Sequence, residues 1–261
     1  MEILQEIRLI AFDLDGTIYN GNQIIDGAIE IIKFFREQRK FLCFFTNNSG
    51  QSRKQIFEKL LRMGIELSEK EVFCCSYAAL RYSQQEGFRN LYIIGSESLK
   101  DDFTKAGFLV NKGSMDIDAI LIGIDIDFSY QKLTIAYEVM QRNESCKIVV
   151  CNTDSNFPVE NGLRKPGCGP IVSAVLNASG RNYDFMLGKP NTYILDIIVT
   201  DLKLRPDEVL VVGDSYYSDI QMAQKYGAKS ILIDDKNDII ENTLVVKSIK
   251  DIKSIFLKNF K

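Results

Sequence analysis

The segment Asp13-Leu14-Asp15-Gly16-Thr17 sets two carboxylates two residues apart, at the exit of the apolar run Ile7-Arg8-Leu9-Ile10-Ala11-Phe12. Such a run reads as a buried strand of a parallel sheet. Open α/β sheets keep their chemistry at the carboxyl ends of such strands. Two acids held there repel each other and resist burial, so something has to compensate them. A divalent metal, with one acid as nucleophile and one as proton carrier, is the economical arrangement. Further along stand Thr46-Asn47-Asn48, then Lys189, then Asp214 and Asp219 within Gly213-Asp214-Ser215-Tyr216-Tyr217-Ser218-Asp219. Each group follows an apolar run. In a parallel sheet all carboxyl ends open on one side, so Asp13, Asp15, Thr46, Lys189, Asp214 and Asp219 are expected to converge from four strands of one sheet.

Composition narrows the chemistry. None of the 261 residues is histidine, which excludes Ser–His and Cys–His nucleophile pairs and argues against zinc. Acid–base work therefore falls to carboxylates, Lys or Tyr. The six cysteines (Cys43, Cys74, Cys75, Cys146, Cys151, Cys168) form no CxxC and are expected to be reduced, mostly buried small hydrophobes. A net charge of −3, without a local Lys/Arg run, leaves no footprint for nucleic acid. No apolar run approaches the ~18–20 residues of a membrane span, and Met1 to Glu6 is too weakly apolar for a signal peptide. A cytoplasmic protein without nucleic-acid or membrane partners is expected.

The elements that must position these residues alternate as strand and helix. After the first strand, a helix is expected over Ile24 to Arg39, a strand over Phe41–Phe45, a helix over Ser52 to Met63 stopped by Gly64, and a strand over Glu71–Cys75. Near the other end, Asp184–Pro190 reads as a short strand and turn and Thr192 to Leu202 as a helix. Val209–Asp214, Ile231–Ile233 and Leu244–Val246 read as strands, and Ile249 to Phe260 as a final amphipathic helix that packs on the sheet. Between them lies a second βα rhythm, with strands at Leu91–Ile94, Ala119–Ile124 and Lys147–Cys151. Its helices are expected at Ser98–Ala106, Ser129–Arg142 and Gly169–Asn177. One crossover fits between Thr17 and Thr46, but Thr46 to Lys189 is far too long for one. The expected fold is α/β: a parallel-sheet core of residues 1–76 and 182–261, with a smaller α/β domain of residues 77–181 inserted into it.

The residues in this order resemble the four motifs of the haloacid-dehalogenase-like (HAD) superfamily. Asp13-Leu14-Asp15-Gly16-Thr17-Ile18-Tyr19, Thr46-Asn47-Asn48-Ser49, Gly188-Lys189-Pro190 and Gly213 to Ile220 are similar to its NagD/4-nitrophenylphosphatase branch. So are Cys151-Asn152-Thr153-Asp154 and Pro166-Gly167-Cys168-Gly169-Pro170-Ile171-Val172 of the insert, and the likeness covers nearly the whole chain. The resemblance implies a Rossmann-like, HAD-like core with a type C2 cap inserted after the third strand, and Mg²⁺-dependent hydrolysis of a small phosphorylated metabolite. It implies Asp13 as nucleophile and Asp15 as general acid and base. Mg²⁺ is implied on Asp13, the Asp15 backbone carbonyl and Asp214. Thr46, Asn47, Asn48 and Lys189 would hold the phosphoryl group, and Asp219 would orient Lys189 or a metal-bound water. Asp13, Asp214, Asp219 and a phosphate dianion carry five negative charges against three positive from Mg²⁺ and Lys189, which favours a protonated Asp15.

In the cap, Asn152 and Asp154 either line the substrate end of the cleft or form an Asx-rich turn. Arg164 and Lys165 either meet an anionic substrate or lie on a solvated loop. Gly167-Cys168-Gly169 mimics half a dinucleotide fingerprint but lacks its third glycine. The acids Asp116, Asp118, Asp125 and Asp127 match no EF-hand spacing. Ser218 stands where the family usually has threonine, and Asp234-Asp235-Lys236-Asn237 replaces a frequent Thr-Gly turn, so no oligomer contact is carried over at that place; a homodimer stays open. Two rival functions use the same residues: a phosphotransferase or mutase sharing the aspartyl-phosphate, and a non-catalytic metabolite-binding regulator.

Overall fold

A computed structural model of the chain describes residues 6–111, 116–159, 163–235 and 240–258. Lys236 and Asn237, and the expected end of the last helix at Phe260, lie outside the described residues. The first half of the core runs β1 (Leu9–Asp13), a hairpin of β2 (Tyr19–Asn20) and β3 (Gln23–Ile24), α1 (Ala28–Glu37), β4 (Phe41–Thr46), α2 (Arg53–Arg62) and β5 (Val72–Cys74). Then follow α3 (Cys75–Gln85), β6 (Asn90–Ile94), α4 (Glu97–Lys105), β7 (Leu109–Val110), β8 (Ala119–Ile122), α5 (Tyr130–Arg142), β9 (Lys147–Val150), β10 (Asn156–Pro158), β11 (Arg164–Pro166), α6 (Cys168–Ser179) and β12 (Phe185–Met186). The chain closes with α7 (Tyr193–Leu202), β13 (Val209–Gly213), α8 (Gln221–Tyr226), β14 (Lys229–Ile233), β15 (Thr243–Val246) and α9 (Asp251–Lys258).

Two parallel sheets result. One has six strands in the order β15-β14-β13-β1-β4-β5, and the other has five in the order β12-β9-β8-β6-β7. The strands of a parallel sheet need apolar residues on both faces, and β1 supplies them in alternation. Ile10 and Phe12 join Phe35 of α1, Leu60 of α2 and Phe256 of α9 on one face. Leu9 and Ala11 join Ile198 of α7 and Met222 of α8 on the other. This second cluster does not stop at the edge of the sheet. It runs through Phe73, Ala78 and Leu187 to Leu91, Leu121 and Val149, which belong to the smaller sheet. The opposite face of the smaller sheet packs Ile120, Ile148 and Val150 against α5 and α6.

Local signals explain most boundaries. Ser52 accepts the Gln55 N–H while the Gln55 side chain accepts the Ser52 N–H, a reciprocal cap that opens α2. The helix expected from Ile24 begins only at Ala28, because Gln23–Ile24 pairs with Tyr19–Asn20 around Gly21. Helix α3 was not expected at all. Its buried face is Cys75, Ala78, Ala79 and Ser83, small residues that leave no strong hydrophobic period. The six cysteines are free and buried.

Phe35 has its ring 4.8 Å edge-on from Phe256 and 6.1 Å from Phe12. Replacing it by Ala deletes that junction of α1, α9 and β1. Phe35→Ala is expected to cost roughly 3–5 kcal/mol of stability, read from the urea midpoint at unchanged m-value.

Candidate active site

Strand β1 delivers Asp13 at its last residue, and the chain then turns sharply. The Leu14 carbonyl accepts from the N–H groups of Ile18 and Tyr19, and Gly16 sits at φ +94°. A Cβ at Gly16 would lie 2.0 Å from Asp214 Oδ2, and one at Gly213 would lie 2.3 Å from Asp219 Oδ2. Both glycines are therefore required by approach: at Gly16 the loop after β1 closes on the loop after β13, and at Gly213 the chain after β13 folds back on itself, with no room for a methyl group at either place. After β13, one wide turn over Tyr216–Ile220 swings Asp219 back beneath Gly213. Its Oδ2 accepts the Ser215 N–H at 3.1 Å.

The Lys189 ammonium donates to Asp13 Oδ1 and, at 2.7 Å, to Asp219 Oδ1. All three side chains are buried, and the ammonium lies 4.7 Å from the Phe45 ring centroid. Burial acts to lower the Lys189 pKa, but Asp13 and Asp219 outweigh it and hold the group firmly protonated. Burial drives the Asp13 carboxyl well up; Lys189 opposes this, while Asp219 and Asp214 add to it. Asp214 is pushed up to about 6 by the walls of the cleft and then by Asp219, although its exposure lets solvent screen part of that effect. One carboxylate oxygen from each of Asp13, Asp214 and Asp219 lies within 4.8 Å of the others. Three acids thus share a single ammonium. An all-oxygen donor set with surplus negative charge suits a hard divalent cation such as Mg²⁺, so the residues present fit the metal that the motifs imply.

Across the cleft, Asp15 Oδ2 accepts from Thr46 Oγ1 and from the Tyr19 hydroxyl, both at 3.3 Å. Thr46 Oγ1 in turn accepts the Asn48 N–H at 3.1 Å. Tyr19 is a partner that the sequence reading missed. Its ring is buried beneath the Lys59 ammonium, and a tyrosine two residues beyond the loop carried no signal apart from core. The Asn48 side chain is occupied within its own turn, accepting from Gly50 and Gln51 N–H. The Asn47 side chain bonds Lys189 and Asp154. Asn152 and Asp154 form the Asx turn, with the Asp154 N–H on Asn152 Oδ1 at 3.0 Å, and both still line the cleft.

One expectation is corrected. Lys189 does not come from a strand of the large sheet. Phe185–Met186 pairs with Val149–Val150, so β12 is the edge of the smaller sheet. Phe185 stacks on Tyr82 there at 4.4 Å, and the Leu187 and Gly188 N–H groups continue the pairing onto the Val150 and Cys151 carbonyls. Three strands of one sheet and the edge of the other deliver the site. All ten residues named for it (Asp13, Asp15, Thr46, Asn47, Asn48, Asn152, Asp154, Lys189, Asp214 and Asp219) line one cleft of about 940 Å³. Arg164 lines its outer part, whereas Asp118 is used locally, accepting the Arg89 and Asn90 N–H groups.

The chain is similar to known proteins in sequence and in fold. The pattern described as "Haloacid dehalogenase-like hydrolase" matches residues 10–109, and "HAD-hydrolase-like" matches residues 186–252. The acid sugar phosphatase of Staphylococcus epidermidis is 36% identical over 229 residues, covering 87% of this chain and 86% of the relative. The chain belongs to the haloacid dehalogenase-like hydrolases. The glycerol-3-phosphate phosphatase of Rattus norvegicus is 31% identical over 280 residues, covering 97% of this chain and 84% of its own. Among solved structures, p-nitrophenyl phosphatase from Archaeoglobus fulgidus superposes with a TM-score of 0.85 at 25% identity, over 95% of this chain and 99% of that one. This HAD hydrolase therefore has the α/β core and cap of the NagD/4-nitrophenylphosphatase group. No helix among the described residues is long and apolar enough to cross a membrane.

Gly16→Ala is expected to push Asp214 out of place and lower turnover on the order of 10²-fold, while circular dichroism still reports a folded protein. The acid cluster also gives a pH signature. Native Asp214, pushed up to about 6, holds its proton at a pH where unfolded carboxyls, near 3.8, have lost theirs. The native state then binds more protons than the unfolded chain, so this contribution to stability falls as pH rises through about 6. Metal-free protein is expected to melt higher near pH 5.5 than near pH 7, and Mg²⁺ to raise the melting temperature more at the higher pH.

Proposed function

We propose that this HAD-type phosphatase is a cytoplasmic, Mg²⁺-dependent enzyme that hydrolyses small phosphomonoester metabolites through an aspartyl-phosphate on Asp13. The observation that carries the reading is the buried Lys189 ammonium between Asp13 and Asp219, with Asp214 beside them and Asp15 on Thr46 across the same cleft. That arrangement prepares one site for a dianion and a second for a proton.

Lys189 and the Thr46 hydroxyl, with backbone N–H groups of the Asn47–Asn48 turn in place of the occupied side-chain amides, hold the phosphoryl oxygens so that phosphorus faces an Asp13 oxygen. Asp13 attacks in line. The new Asp13 O–P bond forms as the ester P–O bond breaks, and Asp15 gives its proton to the departing alkoxide oxygen. Asp15 then takes a proton from the water that attacks the acyl phosphate. Inorganic phosphate leaves, and the Asp13 carboxylate is restored. Mg²⁺, when held by Asp13, Asp214 and the Asp15 backbone carbonyl, supplies the positive charge that lets these acids and a phosphate dianion share one site. Asp219 has both oxygens engaged, one by Lys189 and one by the Ser215 N–H. Its role is to keep Lys189 charged and in place.

We assign residues 1–76 and 182–261 to the catalytic core and 77–181 to the cap, except that β12 (Phe185–Met186) pairs with the sheet of the cap. The relatives' names span sugar, glycerol and aryl phosphates, and the cleft is roofed by the turn of Asn152 and Asp154 and by the β10–β11 hairpin. Both support substrates of metabolite size. The test is a panel of several dozen phosphorylated metabolites ranked by kcat/KM with and without Mg²⁺. Turnover is expected with Mg²⁺ and its loss with chelator. Asp13→Asn should abolish turnover with the fold intact; activity retained in that variant sinks the nucleophile assignment.

A further inference from the structure

The Asn47 side chain, expected to face a phosphoryl group, is occupied by protein on every side. Its Oδ1 accepts the Lys189 N–H at 2.8 Å. Its Nδ2 donates to the Lys189 carbonyl at 3.2 Å and to the two Asp154 oxygens at 3.0 and 3.3 Å. The orientation of this amide follows from chemistry, since a backbone N–H can only donate and a carboxylate can only accept. Asn47 therefore clamps the Lys189 backbone from both directions, and Asp154 fixes the clamp.

Asp154 is itself tightly held. Asn152 Oδ1 accepts the Asp154 N–H, and Asn152 Nδ2 grips the Asn47 carbonyl at 2.7 Å. Behind the turn stand the glycines of the Pro166–Pro170 stretch. A Cβ at Gly167 would lie 2.2 Å from the Asp154 carbonyl oxygen, and one at Gly169 would lie 2.5 Å from that of Thr153. The Gly169 N–H donates to the Asp154 carbonyl at 2.9 Å. Those two glycines let the first turn of α6 press directly on the backbone that carries Asp154. Contact runs unbroken from α6, through Asp154 and Asn47, to the lysine whose ammonium lies on Asp13.

We propose that the cap carboxylate Asp154 is a positioning residue of the phosphoryl site, acting through the Asn47 amide to fix Lys189, and that it does not discriminate between leaving groups. The inference rests on the reading of Lys189 as the phosphoryl-binding cation. It makes the cap a contributor to the chemistry of every substrate.

The test compares full-length Asp154→Ala, Asp154→Asn, Asn47→Asp and the exchanged pair Asn47→Asp/Asp154→Asn. It reads kcat and KM on p-nitrophenyl phosphate, inhibition by inorganic phosphate, and amide hydrogen exchange at Lys189 in the metal-free protein. Asp154→Ala is expected to weaken kcat/KM and phosphate inhibition by a similar factor, about 10–100-fold, and to speed exchange at Lys189. Asp154→Asn keeps one acceptor oxygen and should retain most activity. Asn47→Asp sets two carboxylates face to face and should fail. The exchanged pair restores one donor and one acceptor, so it should recover at least about tenfold over Asn47→Asp. If Asp154→Ala alters ester turnover but leaves phosphate inhibition unchanged, Asp154 meets the leaving group and the proposal is wrong. Unchanged Lys189 exchange in Asp154→Ala, or no recovery in the exchanged pair, also overturns it. Should Asp154→Ala not fold, the exchanged pair decides alone. Failure of the underlying reading shows elsewhere, as full activity in Lys189→Met, while the exchange data at Lys189 still judge the relay.

Discussion

An ammonium buried between two carboxylates is the constraint from which the rest of the site follows. Lys189 can remain charged out of water only because Asp13 and Asp219 flank it, and those acids can remain together only because Lys189 is there. Removing one member of such a buried set typically costs about 3–5 kcal/mol, since the survivors keep their charge without its partner. Asp214 then leaves the cluster with more negative charge than Lys189 can match. Such an imbalance is what a hard divalent cation would offset. The glycines at 16 and 213 are the steric counterpart, since they bring backbone close enough for these charges to interact at all.

The loop after β4 joins the two halves of the molecule. Besides the bonds of Asn47, Ser49 Oγ accepts the Ile124 N–H at 2.9 Å and Ser98 Oγ donates to the Gly50 carbonyl at 3.0 Å. The Cys75 thiol donates to the Cys151 carbonyl at 3.2 Å, and one apolar cluster continues from sheet to sheet beneath these contacts. A rigid-body movement of the cap at this edge would have to break these bonds or carry the loop after β4 with it. Ile126 and Tyr217 line the cleft and are exposed.

Much of this was legible from apolar runs that end in a polar residue. Strands β1, β4 and β13 each bury every residue but the exposed Phe41, so their hydrophobic signal is dense and their ends are sharp. The acids, Thr46 and Lys189 could be placed at one cleft on that basis. What escaped notice was carried by weak or two-sided signals. Two paired residues cannot announce which sheet they join, so β12 was placed in the wrong one. A helix buried through alanine, serine and cysteine shows little hydrophobic period, so α3 was missed. Asn152 and Asp154 were readable as a turn or as a cleft lining, and the structure makes them both. That Asn47 serves Lys189 was invisible, because a side-chain amide looks the same whether its partner is backbone, carboxylate or phosphate.

Strand β1 lies between β4 and β13, with Leu9 beside Val209. Its second neighbour is thus synthesised two hundred residues after it. Contacts of such sequence separation form late and slowly. A nascent or truncated chain that stops short of β13 holds Asp13 without Asp214 or Asp219, and so owns a carboxylate with none of its surroundings. The buried charge cluster is therefore complete only once the chain has been made through Asp219.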